Sequence, residues 1–309
     1  MVRIFVAVTD NDWFRLLAAS GPHEEVNFWQ PSGRRNFGAI GAGELFLFKL
    51  HAPDNYIAGG GIFSHATNVP LSIAWEAFQE RNGVPDLPEM WRRIARYRRD
   101  DSLLDQRQDP VIGCRVLTQP FFWPRELWIS VPATWAPNTQ VGKRFETTET
   151  DGKALWDAVM ERMSVMPSAG IAQAQPARFG APQLISPRLG QGAFRLSVID
   201  SYERRCAVTG ERTLPILDAA HIRAFGEGGE HIPSNGLLLR TDVHRLFDLG
   251  YVTVAPERRF VVSNRLRADF DNGRDYYALH GRELRPPRNP DAMPSPNALA
   301  WHRERRFLG

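Results

Sequence analysis

The stretch that decides the fold of this chain runs Asp218-Ala-Ala-His221-Ile222, Gly228-Gly229, Asn235-Gly-Leu-Leu-Leu and Asp242-Val-His244-Arg-Leu-Phe247-Asp248. It holds a histidine after a short apolar strand, an asparagine fourteen residues later and a second histidine nine residues beyond that, at a predicted helix start. A neutral imidazole can accept a proton near pH 7, and imidazole is also a common metal ligand. The order of these side chains indicates a polar site on two strands and a helix.

This order and spacing, over roughly residues 204–249, resemble the HNH nuclease family. The resemblance implies a ββα-metal hairpin that hydrolyses phosphodiester bonds with the help of Mg²⁺, Mn²⁺ or another divalent cation. It implies catalytic roles for His221 as general base, for Asn235 in the connecting loop and for His244 as a metal ligand. Taken singly, each of these residues is more often structural, so the prediction depends on the two intervals and the glycine pair occurring together.

The pattern leaves the acidic member of the site open. The family often has an acidic ligand directly before the general base, and here that position is Ala220. Asp218 is the first choice, because a bend in the strand would bring it to the same side. Asp242 and Asp248 on the helix are alternatives. Asn235 can either ligate the ion or brace the loop, since its amide has both donors and an acceptor.

Composition sets the outer limits of the interpretation. The 309 residues allow about two domains, and 43% hydrophobic with 24% charged residues is typical of a soluble globular chain. A net charge of +3 and a pI near 9.1 permit nucleic-acid binding. No membrane span is expected. The two cysteines favour a cytoplasmic location, and Cys206 alone cannot complete the four-cysteine structural zinc site of many HNH relatives, so no structural zinc is expected.

The amino-terminal half predicts a mixed α+β layout with helices inserted between strands. Strands are predicted at 3–8, 44–50, 56–63 and 111–117, a helix capped by Asp10 or Asn11 follows the first strand, and two more helices are predicted at 71–81 and 87–99. The glycines at 59–61 suggest a bulge or a close approach. This order is similar to the PUA-like superfamily, including the EVE and ASCH groups, which implies a mixed β-barrel or sheet that reads modified bases in DNA.

A base-reading pocket needs an exposed aromatic ring beside hydrogen-bonding groups and cations. The residues that meet this description are Phe28, Trp29, Gln30, Arg34 and Arg35, with Asp10, Asn11, Tyr56 and His65 as possible partners. With 9 Trp and 18 Phe in the chain, most aromatic side chains must nevertheless belong to the core. The arginines of the helix at 87–99 are a second candidate for phosphate contact, although such a run is usually a solvated face.

The domain prediction is a PUA-like recognition domain at 1–163, a linker at 164–187 rich in Ala, Pro, Gly and Gln, and an HNH nuclease domain at 188–309 that also carries a β-hairpin near 251–262. The predicted function is cleavage of double-stranded DNA, most of all DNA with modified cytosine. Because one HNH site cuts one strand, a homodimer is expected. The alternatives are a nuclease for unmodified or phosphorothioated DNA and a DNA-binding protein without activity.

Overall fold

The computed structural model describes residues 2–34, 36–165, 184 and 189–309. The chain divides into two compact units, Met1–Gly190 and Gln191–Gly309. The predicted linker lies almost wholly outside the described residues, so its limits stay a prediction. In the part of the chain that is described, no helix combines the length and apolar character needed to cross a membrane.

Unit 1 is built on one mixed sheet. The strands that are described run β1 (Arg3–Thr9), β2 (Glu25–Gln30), β3 (Leu45–Leu50), β4 (Tyr56–Pro70), β5 (Val111–Phe122), β6 (Ile129–Ser130) and β7 (Gly142–Glu146). Their order is β2-β5-β4-β3-β1-β7, with β6 paired to β4. The β1 and β3 strands are parallel, whereas the other pairs are antiparallel.

The central strands of unit 1 are buried on both faces. In β1, Ile4 and Val6 belong to one apolar cluster, whereas Phe5 and Ala7 belong to the other. Successive side chains of a strand point to opposite faces, so continuous apolar runs are typical of a sheet covered on both sides. The helices that are described here are α1 (Asn11–Ser20), α2 (Leu71–Phe78), α3 (Leu87–Arg98) and α4 (Thr150–Val165). One cluster includes residues of α4 and the other includes residues of α1.

Two local predictions in unit 1 are confirmed. The carboxylate of Asp10 accepts hydrogen bonds from the amides of Asp12 and Trp13, so it caps α1. The glycines of β4 lie where the strand bulges, and a Cβ on Gly59 would stand 2.3 Å from the carbonyl oxygen of Phe121. The β4 strand runs seven residues beyond its predicted end at Phe63, because its second half pairs with β5.

Unit 2 contains the predicted ββα hairpin. Its described elements are α5 (Gln191–Ser201), β8 (Leu217–His221), β9 (Gly236–Arg240), α6 (Thr241–Asp248), β10 (Val252–Val254), β11 (Phe260–Val262), α7 (Arg265–Phe270), α8 (Arg274–Tyr277) and α9 (Pro296–Arg305). The antiparallel β8–β9 ladder pairs Leu217 with Arg240 and His221 with Gly236. Since α6 begins directly after β9, this unit has the predicted α+β arrangement. The antiparallel β10–β11 ladder confirms the β-hairpin that was predicted near 251–262.

A tight turn before the hairpin contains Cys206, which is fully buried. Its amide donates to the carbonyl of Glu211, and the amide of Gly210 donates back to the carbonyl of Cys206. The amides of Thr209 and Arg240 each lie 3.4 Å from the sulfur, which accepts both hydrogen bonds. Backbone amides therefore surround the thiol and connect the turn to β9.

Candidate active site

His221 is the last residue of β8 and is partly buried. Its ring stacks on Phe194 of α5, with 3.9 Å between the ring centroids and 12° between the planes. Burial, followed by the neighbouring imidazoles of His231 and His244, lowers the pKa of His221 to about 4. The ring is therefore neutral at pH 7 and has a nitrogen lone pair that can accept a proton.

A second histidine faces His221 from the loop between β8 and β9. The Nε2 atom of His221 lies 2.9 Å from the Nδ1 atom of His231, within hydrogen-bond distance. Phe225 stacks on the ring of His231, with 4.5 Å between the ring centroids and 7° between the planes. The sequence interpretation missed His231, and the available signal was a further histidine inside the same loop, ten residues after His221.

His244 lies on α6 between two carboxylates. Its Nδ1 atom is 3.3 Å from the Oδ2 atom of Asp218, and its Nε2 atom is 3.3 Å from the Oδ2 atom of Asp248. Asp218 comes from β8, whereas Asp248 follows His244 by one helical turn. The hydrogen bond with His244 lowers the pKa of Asp218 despite partial burial. The structure thus brings the predicted Asp218 and His244 together and adds Asp248.

The chemistry of this donor set fits a divalent cation. An imidazole nitrogen of His244 and the carboxylate oxygens of Asp218 and Asp248 are ordinary ligands for such ions, and they lie within 3.3 Å of one another in pairs. Among the described residues, no three His, Cys, Asp or Glu side chains form a ready-made metal cluster, so water or phosphate oxygens would complete the coordination.

Asn235 is held inside the loop. Its Oδ1 atom accepts from the amide of Arg223 at 3.0 Å, and its Nδ2 atom donates to the carbonyls of Arg223 and Glu230 at 2.9 Å each. The residue is 5% exposed. Both N–H groups and the acceptor are engaged, so this geometry favours a loop brace and does not support the prediction of Asn235 as a metal ligand.

The carboxylate of Asp242 has other partners, Arg240 and Tyr276. Arg240 grips its carboxylate with two hydrogen bonds of 2.6 and 2.7 Å. The hydroxyl of Tyr276 donates to the same carboxylate at 3.1 Å. These contacts lower the pKa of Asp242, with Arg240 as the main cause. Of the three aspartates considered from the sequence, Asp218 and Asp248 contact His244, whereas Asp242 is engaged elsewhere.

The residues predicted to read a base lie in unit 1, and Phe28 is part of its core. The Phe28 ring is 8% exposed and packs against Trp13 and Phe46. Stacking on a base requires an open ring face. This burial does not support the prediction that Phe28 contacts a base, because the β2 side chain belongs to the face covered by α1.

Trp29 and Asp10 are connected through Tyr97 of α3. The Trp29 ring lies 6.1 Å from the Tyr97 ring, and its Nε1 atom donates to the carbonyl of Asn82 at 2.8 Å. The hydroxyl of Tyr97 donates to the carboxylate of Asp10, which also forms an ion pair with Arg93 at 3.5 Å. These polar groups are therefore bonded to their own scaffold.

The other predicted reader residues are more open. Gln30 is half-buried at the end of β2, Arg34 is exposed, and Arg35 lies outside the described residues. Tyr56 is 42% exposed at the start of β4, where its ring lies 6.3 Å from that of Trp128. Arg125 lies over the Trp128 ring at 5.5 Å. The sequence interpretation missed this pairing because Trp128, which directly precedes β6, is far from Tyr56 along the chain.

The basic helix α3 uses several of its arginines locally. Arg93 is buried and pairs with Glu89 at 2.8 Å. Arg98 donates to the carbonyls of Pro31 and Val111. Arg96 has an exposed side chain, and its guanidinium lies 4.0 Å from the carboxylate of Asp10. Structural contacts thus account for much of the arginine run.

The hairpin, the neutral His221 and the carboxylate-flanked His244 define a ββα unit of the nuclease type. In agreement, residues 206–255 match the family model described as HNH endonuclease, which confirms the predicted resemblance for this stretch and its assignment as an endonuclease domain.

Comparison with solved structures finds similarity to ASCH from Zymomonas mobilis, at 10% identity and a TM-score of 0.33, covering 53% of this chain and 96% of that chain. The modification-dependent TagI restriction endonuclease is similar at 12% identity and a TM-score of 0.27, covering 94% of this chain and 77% of that chain. The ASCH group predicted from the sequence is thus among the neighbours. No curated protein matched the chain.

Proposed function

We propose that this protein is a divalent-metal-dependent DNA endonuclease that hydrolyses phosphodiester bonds, and that its substrate is double-stranded DNA carrying modified cytosine. One observation carries the nuclease proposal. A neutral histidine at the end of β8 belongs to the same ββα unit as His244, which lies between Asp218 and Asp248. A proton acceptor and a cation-binding group are the two components that metal-assisted hydrolysis requires.

In the proposed reaction His221 accepts a proton from the water that attacks phosphorus. Asp218 and His244 hold the divalent ion, and Asp248 is the second carboxylate available to it. The bound ion supplies charge stabilisation to the phosphate and the leaving oxygen. Asn235 maintains the loop that connects the two strands, through its hydrogen bonds to Arg223 and Glu230.

Unit 1 is proposed to select the DNA. The support is the order of its elements, which resembles that of PUA-like domains. In addition, the exposed ring of Tyr56 lies beside Trp128, and the guanidinium of Arg125 lies over the Trp128 ring. Aromatic faces and cations in this arrangement suit a base and a phosphate. Modified cytosine, rather than unmodified sequence or a phosphorothioate linkage, is the proposed target.

The test is cleavage of plasmids that are unmodified, methylated, hydroxymethylated or phosphorothioated, each with Mg²⁺, with Mn²⁺ and with EDTA. We expect cutting of the cytosine-modified plasmids with a divalent ion and none with EDTA. His280→Asn serves as a matched control for the histidine substitutions made in the site. His280 accepts a hydrogen bond from the amide of Val262 at 3.2 Å in the β11 region, and an asparagine can keep that bond. Cutting only of unmodified or phosphorothioated DNA would contradict the proposed substrate, and binding without any cutting would contradict the nuclease proposal.

We also propose that two copies act together, because one such site cuts one strand. Nicked and linear products can be distinguished after cleavage of supercoiled plasmid at increasing protein concentration. Linear product that rises with the square of protein concentration supports pairing on DNA, and light scattering of the free protein shows whether the homodimer is permanent. Nicked circles as the sole product at every concentration would contradict pairing.

A further inference from the structure

The loop between β8 and β9 carries a histidine to which the proposed reaction gives no role. The Nδ1 atom of His231 stands 2.9 Å from the Nε2 atom of His221. The two rings are inclined by 62°, with 5.0 Å between their centroids. Neither ring is fully exposed. Phe194 stacks on one face of the His221 ring, and Phe225 stacks on one face of the His231 ring. The pair is therefore held in place by packing on both sides.

A hydrogen bond between two imidazole nitrogens constrains both tautomers. If His221 donates from Nε2, its Nδ1 atom keeps the lone pair, and His231 accepts at Nδ1. If His231 donates instead, the proton of neutral His221 must be on Nδ1, and no lone pair remains for an attacking water. Only the first arrangement leaves the candidate base able to act.

We infer that His231 is a positioning residue for the proposed hydrolysis, in which its Nδ1 atom accepts the Nε2–H of His221 and fixes the tautomer whose Nδ1 atom takes the proton from water. This inference rests on the proposed nuclease function. When His221 accepts that proton it becomes an imidazolium, and its Nε2–H becomes a charge-assisted donor to the same acceptor. The hydrogen bond therefore strengthens as the reaction proceeds.

Three variants separate this role from packing. His231→Phe keeps a flat ring that can stack on Phe225 but removes the acceptor. His231→Asn loses the stacked ring but can place Oδ1 where Nδ1 stood, because both atoms are bonded to Cγ. His280→Asn is the control for a histidine-to-asparagine change elsewhere in unit 2. All are made in the full chain, and thermal unfolding confirms that each variant folds.

The measurement is single-turnover cleavage of the plasmid that the wild-type protein cuts best, at saturating divalent ion. We expect His231→Phe to lower the cleavage rate constant by about 10–100-fold, as for other residues that orient a catalytic group, with the apparent DNA affinity changed less than about threefold. His231→Asn should recover most of that loss, although its ring is gone. Packing alone would give the opposite ranking.

A second readout reports the tautomer directly. Long-range ¹H–¹⁵N correlation spectra distinguish a protonated Nε2 from a protonated Nδ1, and the His221 signals are assigned by their loss in His221→Ala. We expect the Nε2–H form in the wild type and in His231→Asn, and a mixture of forms in His231→Phe. Protonation of His221 at Nδ1 in the wild type would overturn the inference.

The outcomes distinguish this inference from the function on which it rests. If the wild type cuts no DNA, the proposed function fails. If the wild type cuts and His231→Phe cuts equally well, only the role of His231 is overturned. If His231→Phe keeps its rate and His231→Asn loses it, the loop histidine acts through packing and the inference is overturned. A loss in His231→Phe that His231→Asn does not recover would also overturn it, because an acceptor at the Nδ1 position would then not restore the role.

Discussion

The predicted site residues His221 and His244 of unit 2 differ from Trp29 of unit 1 in the kind of partner that each has. In unit 2, His221 is bonded to His231 and His244 to Asp218, so groups that can exchange protons or bind a cation face one another. In unit 1, the indole nitrogen of Trp29 donates to a backbone carbonyl. Polar groups bonded to the scaffold complete the fold, whereas titratable groups bonded to each other at a partly open site are typical of catalysis.

Removal of the proposed base should have the largest effect on activity. His221→Ala should reduce cleavage by about 10²–10⁴-fold, the usual contribution of a general base, while DNA binding changes less than about threefold. Cleavage rate and binding affinity are measured on the same plasmid. A parallel loss of affinity would mean that His221 is structural like the unit 1 residues, and the contrast between the units would disappear.

The second test concerns the core position of Phe28. Phe28→Ala should lower the free energy of unfolding by about 3–5 kcal/mol, because a buried ring is replaced by a cavity. Tyr56→Ala, at an exposed aromatic position, should change it by less than about 0.5 kcal/mol and weaken DNA binding instead. Denaturant unfolding and DNA affinity are measured for both. Unchanged DNA affinity in Tyr56→Ala, together with a marked loss of DNA affinity in a folded Phe28→Ala protein, would reverse these assignments.

Unit 2 also contains a buried histidine, His302, that is bonded to the scaffold. His302 is 2% exposed, its Nε2 atom donates to the carbonyl of Phe247, and its Nδ1 atom lies 2.8 Å from the hydroxyl of Thr253. Burial is the main cause that lowers its pKa from 6.5 to about 4.

Between these two values the unfolded chain binds a proton at His302 and the folded chain does not. Stability is therefore complete above about pH 6.5 and falls as the pH approaches 4, by about 3 kcal/mol at most. Unfolding measured from pH 7 to pH 4 should show this loss, and His302→Gln should show a smaller slope on a lower starting stability. An unchanged slope in the variant would contradict the assignment.

The smallest expected effect is at the loop brace. Asn235→Ala removes the partners of buried backbone groups of Arg223 and Glu230, which should cost about 1–3 kcal/mol of unfolding free energy. The adjacent Ser234→Ala, as control, should cost less than about 0.5 kcal/mol. If Asn235→Ala kept full stability and instead raised the divalent-ion concentration needed for cutting, the residue would be a ligand after all.

The sequence predicted the hairpin well because spacing along the chain translates directly into position on a short strand, loop and helix. His221 and His244 fall at the end of β8 and on α6 for this reason, and Asp218 is one of the partners of His244. His231 could not be placed, because a loop has no periodicity that predicts which way a side chain points. Asp248 was only an alternative, since one helical turn allows contact with His244 without requiring it.

The reader residues were harder to predict because the sheet of unit 1 is apolar on both faces. Aromatic side chains then occur at core and open positions alike, and composition does not separate Phe28 from Tyr56. The tertiary partners decide the matter: α1 covers the first, whereas the second lies beside Trp128 with much of its ring open.

The turn before the hairpin is held by hydrogen bonds from the amides of Thr209 and Arg240 to the thiol of Cys206. Since the chain has only two cysteines, a four-cysteine zinc site cannot form in that turn. Removal of the proposed divalent cation with EDTA should therefore abolish cutting without unfolding the protein, and adding the cation back should restore cutting. Under the proposed function, cutting would then follow the supply of the divalent ion while the fold is kept.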